Sequence, residues 1–337
     1  MNAPAGGGAE GDQPRHFAAL DGMRGVLALG VVLLHLGFNS FAQRTFGWPG
    51  IAFELAVDVF FLLSGFVLAH ALRRGSGFAA FAVRRCLRLL PVYYLTALAA
   101  AAALGLRVPG ADWLVAAPIA GRQALNFPAW SITWELYLPL AVVLFRASPP
   151  QWAVRPLLAT LLVGLAVTDI EVAGGSSLYG LRAGLGLAAG ALLYRAKLAV
   201  PGAAEAWFAT LVGAMIAGQA WPPAAAVVPF AAAAAIIAGR AGSTVFTTAP
   251  LQWLGAISYT LYMVHIPVLA TAQALLGTRI DANAGAKLAI LAASIAAAAM
   301  LTVAVERPAN RLGHRLSRRI AAQQGLASRP APTIAEP

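Results

Sequence analysis

Apolar runs of about twenty residues recur along the whole chain, each long enough to cross the ~30 Å of hydrocarbon in a bilayer. Within hydrocarbon every backbone N–H and C=O must be paired internally, so only helices and closed barrels can span it. Barrels need short strands of alternating polarity, and the sequence shows none. The expected fold is therefore an all-α polytopic membrane protein. Composition agrees: 60% of the 337 residues are hydrophobic and 11% charged, against about 25% charged in soluble domains.

Ten segments stand out, at about 17–38, 51–72, 89–106, 129–146, 156–171, 177–194, 205–221, 223–239, 251–275 and 284–306. Turn and breaker residues separate them, as in "SPPQW" and "AGGSS". Trp221-Pro222-Pro223, between the seventh and eighth, reads either as a tight turn or as a kink in one segment. Charge supports the count. With ten spans and both termini cytoplasmic, seventeen Lys and Arg fall in inner segments and five in outer ones, while Arg24 and Arg182 lie within spans. This is the asymmetry that positive-inside topology demands. Residues 1–16 are Gly/Pro-rich without an apolar signal core, and read as a disordered cytoplasmic N-terminus. Residues 17–306 form one membrane domain, and 307–337 read as a basic, largely disordered cytoplasmic tail. No inverted repeat of the transporter kind is visible.

The net charge of +11 raises nucleic acid as a partner. The basic residues sit at helix ends and in the tail, not in an aromatic-laced patch, which argues against it. The single Cys86 excludes an intrachain disulfide and a Cys-based zinc site, and no metal is expected.

Ionisable residues inside spans are costly, and so point to function. The first span, "LDGMRGVLALGVVLLH", carries Asp21, Arg24 and His35. Eleven positions at 100° return Arg24 and His35 to one helix face about 16 Å apart, too far to pair. Histidine has the pKa range for accepting and returning a proton near neutrality. The second span holds Glu54 and Asp58 on one face, with Ser64 deeper. In "FAVRRCLRLLPVYY", Arg84, Arg85 and Arg88 precede the third span, serving as a positive-inside anchor or as a phosphate site. Glu135 follows Ser131 by one turn in "WSITWELYLP". Ser258, Tyr262 and His265 form a polar stripe down the ninth span, ahead of Pro267. The depths give a two-ended site, with cations inside and acid–base groups outside.

These motifs, in this order, resemble the membrane-bound acyltransferase 3 family. The resemblance rests on Arg24–ten residues–His35, on "VDVFFLLSGF" with Asp58 and Ser64, and on "RRCLRLLPVYY" with Arg85, Arg88 and Pro91. It continues in "WSITWELYLP" with Ser131 and Glu135, in "LGAISYTLYMVHIP" with Ser258, Tyr259 and His265, and in "ERPANR". Glu135 is displaced by one residue from the usual spacing, and Arg307 stands where Asn is common. The resemblance implies an acyltransferase of the cell (inner) membrane. It would move an acyl group, such as acetyl, from cytosolic acyl-CoA to a hydroxyl of an envelope glycan or lipid-linked sugar. Arg85 and Arg88, with Arg84 and Arg24, would hold the CoA phosphates. His35 would act as general base or transient acyl carrier, oriented by Asp58 or Glu135, with His265 in the same site. Ser64, Ser131, Ser258, Tyr259 and Tyr262 would line it. The competing class is a proton-coupled transporter using the same His and carboxylates; a third is a catalytically inactive structural member.

Overall fold

The computed structural model describes residues 17–72, 77–106, 126–145, 149–277 and 283–323, and all regular structure among them is helical. The expectations for residues 1–16 and for the tail beyond 323 fall outside the described residues. The helices, in chain order, are α1 (Ala18–His35), α2 (Phe38–Phe46), α3 (Ala56–Leu72), α4 (Phe78–Leu104), α5 (Trp130–Phe145) and α6 (Gln151–Ala173). They continue with α7 (Tyr179–Arg195), α8 (Ala204–Ala220), α9 (Val228–Gly239), α10 (Ala249–Leu276), α11 (Ala284–Leu301) and α12 (Arg307–Gln323).

Among the described residues, seven stretches are long and apolar enough to cross a membrane: Ala18–His35, Phe53–Leu72, Phe78–Leu104, Gln151–Ala173, Pro222–Gly239, Ala249–Leu276 and Ala284–Gln323. The other three apolar segments lie on α5, α7 and α8, which are 16, 17 and 17 residues long. Val163 and Val167 of α6 and Leu288 and Met300 of α11 are exposed. Apolar side chains turned outward in this number suit a lipid-facing surface.

The structure corrects the sequence reading at three places. First, α4 begins at Phe78, so Arg84, Arg85 and Arg88 project from the helix itself and not from a connecting segment. No breaker lies between Gly77 and Pro91, and an arginine-rich turn is as helix-competent as an apolar one. Second, "WPP" separates two helices. Trp221 is extended, with φ −145° and ψ 97°, and Pro222–Val227 forms a 3-10 turn before α9. Third, the basic segment expected to be largely disordered is helical from Arg307 to Gln323 and continues α11 through a π-helical turn at Thr302–Glu306. It is held by tertiary packing: Gly313 lies against Leu87 and Arg84, and Arg84 donates to the Ser317 hydroxyl at 3.2 Å. The short helix α2 was not anticipated. Gly37, at φ +67°, ends α1 and starts it.

Two glycine seams set the register of the helices that carry the polar groups. Where α1 crosses α10, a Cβ on Gly25 would come within 2.6 Å of the Gly255 nitrogen, and one on Gly255 would strike the Asp21 carbonyl. Where α3 crosses α7, Gly65 abuts the Leu187 carbonyl and Gly190 the Leu62 carbonyl. In lipid there is no hydrophobic drive between helices, so this close backbone approach supplies the packing energy instead.

Candidate functional site

Four of the sequence-predicted cations meet in one cavity. Arg24 from α1 and Arg84, Arg85 and Arg88 from α4 line a cavity of about 370 Å³, together with His70, Asn310 and His314. It opens where the start of α1, the end of α3, the start of α4 and α12 come together. A second, narrow cavity of about 60 Å³ shares Arg24, Ser64, Arg88 and Glu135 with the first and continues past Ser131, Ser258, Tyr259 and Tyr262. The two are therefore contiguous, with a basic outer chamber and a narrower arm of hydroxyls.

The arginines are not equivalent. Arg24 pairs with Asp21 at 2.9 Å and donates from Nε to the Ser258 hydroxyl at 3.0 Å, which ties α1 to α10. Arg85 donates from Nε and Nη2 to the main-chain oxygen of Glu135, at 2.9 and 2.6 Å. That oxygen is free because Pro139, four residues on, has no N–H to return to it. Arg85 is thus engaged in closing a proline break in α5. Arg88 is exposed into both cavities and hydrogen-bonds nothing among the described residues. It is the guanidinium most available to an incoming anion. The Glu135 carboxylate accepts from the Ser64 hydroxyl at 2.6 Å and faces Arg85 at 3.8 Å.

Beyond the arm lies a histidine pair. Tyr262, which lines the arm, is 6.2 Å from His265 between ring centroids, and its hydroxyl meets Ser131 at 3.1 Å. Nδ1 of His35 lies 2.9 Å from the Val31 carbonyl oxygen and 3.2 Å from Nε2 of His265. A carbonyl can only accept, so the hydrogen-bond network places the His35 proton on Nδ1 and leaves a lone pair on Nε2 when the ring is neutral. Nδ1 of His265 lies 3.3 Å from the Leu261 carbonyl oxygen, and the same logic leaves its Nε2 as acceptor toward His35. His265 is buried at 2% exposure, whereas His35 is partly exposed at the far end of α1 from Arg24. The geometry is that of a base held by an orienter.

The expected orienters of His35 are elsewhere. Asp58 receives a bidentate pair from Arg182, with Nε at 2.9 Å and Nη2 at 2.6 Å from its two oxygens. Arg182 also donates to the Glu54 carbonyl at 2.8 Å and lies over the Trp130 ring. The i, i+4 spacing placed Asp58 on the inward face of α3, but that face meets α7 and not α1. Glu135 is likewise committed to Ser64 and Arg85. Among the described residues, the side chain that touches the His35 ring nitrogen is His265. The polar stripe of α10 does converge: Ser258 meets Arg24, Tyr262 meets Ser131, and His265 meets His35. Tyr259 turns aside to donate to the Leu89 carbonyl at 2.5 Å.

Sequence reasoning gave no role to three groups, one of which, Glu306, opens the "ERPANR" motif. Asp169 of α6 is wholly buried, and neither carboxyl oxygen has a hydrogen-bond partner among the described residues. An aspartate near the end of an apolar span was itself the available signal. Glu306 accepts from the Thr260 hydroxyl at 2.5 Å, inside the π-helical turn. Asn126 donates to the Met263 carbonyl at 2.7 Å, a contact across more than 130 residues that no local pattern announces.

A family model described as an acyltransferase domain matches residues 17–305, which contain nearly all of these groups. Among curated proteins, "Acyltransferase MdmB" of Streptomyces mycarofaciens is 28% identical over 87% of this chain and 92% of its own length. "Protein 2 in picA locus" of Rhizobium radiobacter is 34% identical over 47% of this chain and 93% of its own length. A Bacillus subtilis (strain 168) protein, YrhL, whose name assigns it provisionally to peptidoglycan O-acetyl transfer, is 38% identical over 24% of this chain and 12% of its own length. No solved structure matches the chain. The match over nearly the whole helical bundle identifies the chain as a membrane protein of the acyltransferase 3 family.

Proposed function

We propose that this protein takes an acyl group, most simply acetyl, from acyl-CoA at the cytosolic face of the inner membrane. It passes that group to a hydroxyl of an envelope carbohydrate or lipid-linked sugar. The reading carries ten spans with both termini in the cytosol, which the distribution of Lys and Arg favours. The carbohydrate class draws on the peptidoglycan O-acetyl transfer in the name of the Bacillus relative. One observation carries the proposal: the contiguous cavity that joins the arginine chamber to Tyr262, with the histidine pair directly behind it.

In this reading Arg88, with Arg24 and Arg84, receives the donor phosphates, because guanidinium forks match phosphate oxygens. Arg85 keeps α5 in place. The acyl thioester extends along the arm of hydroxyls, while the acceptor approaches His35 from its exposed side. Nε2 of His35 takes the proton of the acceptor hydroxyl as the oxygen bonds to the acyl carbon. The C–S bond breaks, and the proton returns from His35 to the departing thiolate. His265 accepts from Nδ1–H throughout and stabilises the imidazolium that forms between the two transfers.

The test uses purified protein in proteoliposomes with labelled acetyl-CoA and envelope glycan from the cells that express it. Release of free CoA matched by label in the glycan supports transfer. A protein that moves protons or solutes across the vesicle wall and leaves acetyl-CoA intact would be a transporter instead.

A further inference from the structure

α10 contains a proline in the turn that presents His265, and the consequences can be followed atom by atom. Pro267 has no N–H, so the Met263 carbonyl, four residues earlier, loses its helical donor. An orphaned carbonyl in a buried span is costly. Here the side chain of Asn126 supplies the missing donor, with Nδ2 2.7 Å from the Met263 oxygen. Because that oxygen can only accept, the orientation of the amide is fixed, and Oδ1 is its other end.

Asn126 is an expensive way to satisfy one carbonyl. It is wholly buried, and its Oδ1 has no hydrogen-bond partner among the described residues. Leaving a buried acceptor unpaired costs about 1–3 kcal/mol, more than an ordinary hydrogen bond returns. The segment that Asn126 opens explains its retention. Phe127 sets its ring edge-on to His35, with centroids 6.0 Å apart, and the Pro128 carbonyl accepts from the Tyr262 hydroxyl at 3.1 Å. Three consecutive residues therefore touch the α10 turn, the His35 ring and the tyrosine that separates the pair from the cavity.

We propose that Asn126 is a positioning residue for acyl transfer: by bonding the carbonyl that Pro267 frees, it fixes the α10 turn that aims His265 Nε2 at His35. The inference rests on the reading of His265 as the orienter of His35. It also explains why a proline two residues from His265 is tolerated: the helix can bend there while the Met263 carbonyl stays satisfied.

The experiment is a double-mutant cycle on acyl transfer from acetyl-CoA, made with Asn126→Ala, Pro267→Ala and the double variant. Pro267→Ala restores the N–H that the Met263 carbonyl needs, so it makes the Asn126 amide redundant. In the native background, Asn126→Ala is expected to lower kcat about tenfold. In the Pro267→Ala background the same change should lower it by less than about threefold, a coupling of the size found between directly contacting groups. KM for acetyl-CoA stays constant in all three, because the arginine chamber lies at the other end of α1. Should Asn126→Ala fail to fold, the double variant is expected to recover both folding and transfer. Equal losses in the two backgrounds, a loss expressed in KM, or no recovery in the double variant would overturn the proposal. His35→Ala and His265→Ala run alongside separate the two claims. If His35→Ala lowers transfer the more and His265→Ala lowers it roughly 10- to 100-fold while Asn126→Ala keeps the native kcat, the histidine reading stands and the Asn126 proposal falls; if both histidine variants keep the native kcat, the histidine reading falls and the Asn126 proposal with it.

Discussion

Removing His265 gives the sharpest view of how the histidine pair works. In a protease-like triad, loss of the orienting carboxylate lowers kcat about 10⁴-fold, because the base then adopts the wrong tautomer. Here that penalty is not expected. The Val31 carbonyl lies 2.9 Å from His35 Nδ1, closer than His265 Nε2 at 3.2 Å, so the proton stays on Nδ1 without His265. What His265→Ala removes is one neutral hydrogen bond and the packing that limits ring rotation. A net hydrogen bond is worth about 1 ± 0.5 kcal/mol, and a hydrogen bond to a charged partner about 1.5–3 kcal/mol. The imidazolium formed in the transition state brings the loss toward the second figure. Transfer from acetyl-CoA should therefore fall roughly 10- to 100-fold, since about 1.4 kcal/mol is a factor of ten. It is measured as kcat at saturating donor, with thermal unfolding of the variant followed in the same detergent. Abolition of transfer in a folded His265→Ala protein, as complete as in His35→Ala, would refute this division of labour and make His265 a proton carrier itself.

Other perturbations test other parts of the structure. Arg88→Ala should raise KM for acetyl-CoA by about ten- to a hundredfold with kcat little changed, the cost of a charge-assisted contact in binding; a loss confined to kcat would place Arg88 at the reacting atoms. Gly255→Val drives a side chain into the Asp21 carbonyl, and should open the α1–α10 seam and lower both the unfolding temperature and transfer; unchanged melting would show that the helices do not touch there. Arg182→Met strands the Asp58 carboxylate, which is 1% exposed, and should destabilise by about 3–5 kcal/mol. Adding Asp58→Leu should recover much of that stability; a double variant no more stable than the single would show that Asp58 acts through something besides Arg182.

The bundle was legible because hydrocarbon makes apolar length a direct record of spanning helices, and because proline and glycine punctuate them. Each anticipated segment carries a helix, including the pair divided at "WPP". Arg24, Arg84, Arg85, Arg88 and Glu135 of the two cavities were legible for the complementary reason, that an ionisable group in or beside a span is costly enough to announce itself, whereas His70 and His314 were not singled out. Pairing was not legible. Helical spacing puts Asp58 on a face but does not say which helix covers that face, and glycine seams far along the chain decided for Arg182. The same limit explains Arg85, whose acceptor is a carbonyl freed by Pro139, and Asn126, whose acceptor is freed by Pro267. Both breaks are visible in sequence, but the side chain that heals each one comes from another helix or connection. α12 was missed because its stability comes from α4, not from its own composition.

His35, as the group that activates the acceptor hydroxyl, is the residue on which the proposed chemistry depends. The direct measurement is label transfer from acetyl-CoA to envelope glycan by purified His35→Ala protein, with acetyl-CoA affinity determined on the same sample. Donor binding should be unchanged, since Arg24, Arg84 and Arg88 lie at the opposite end of α1. Transfer should fall by about 10²–10⁴-fold, the usual contribution of a general base. Transfer at the native rate by a folded His35→Ala protein would contradict the proposed role.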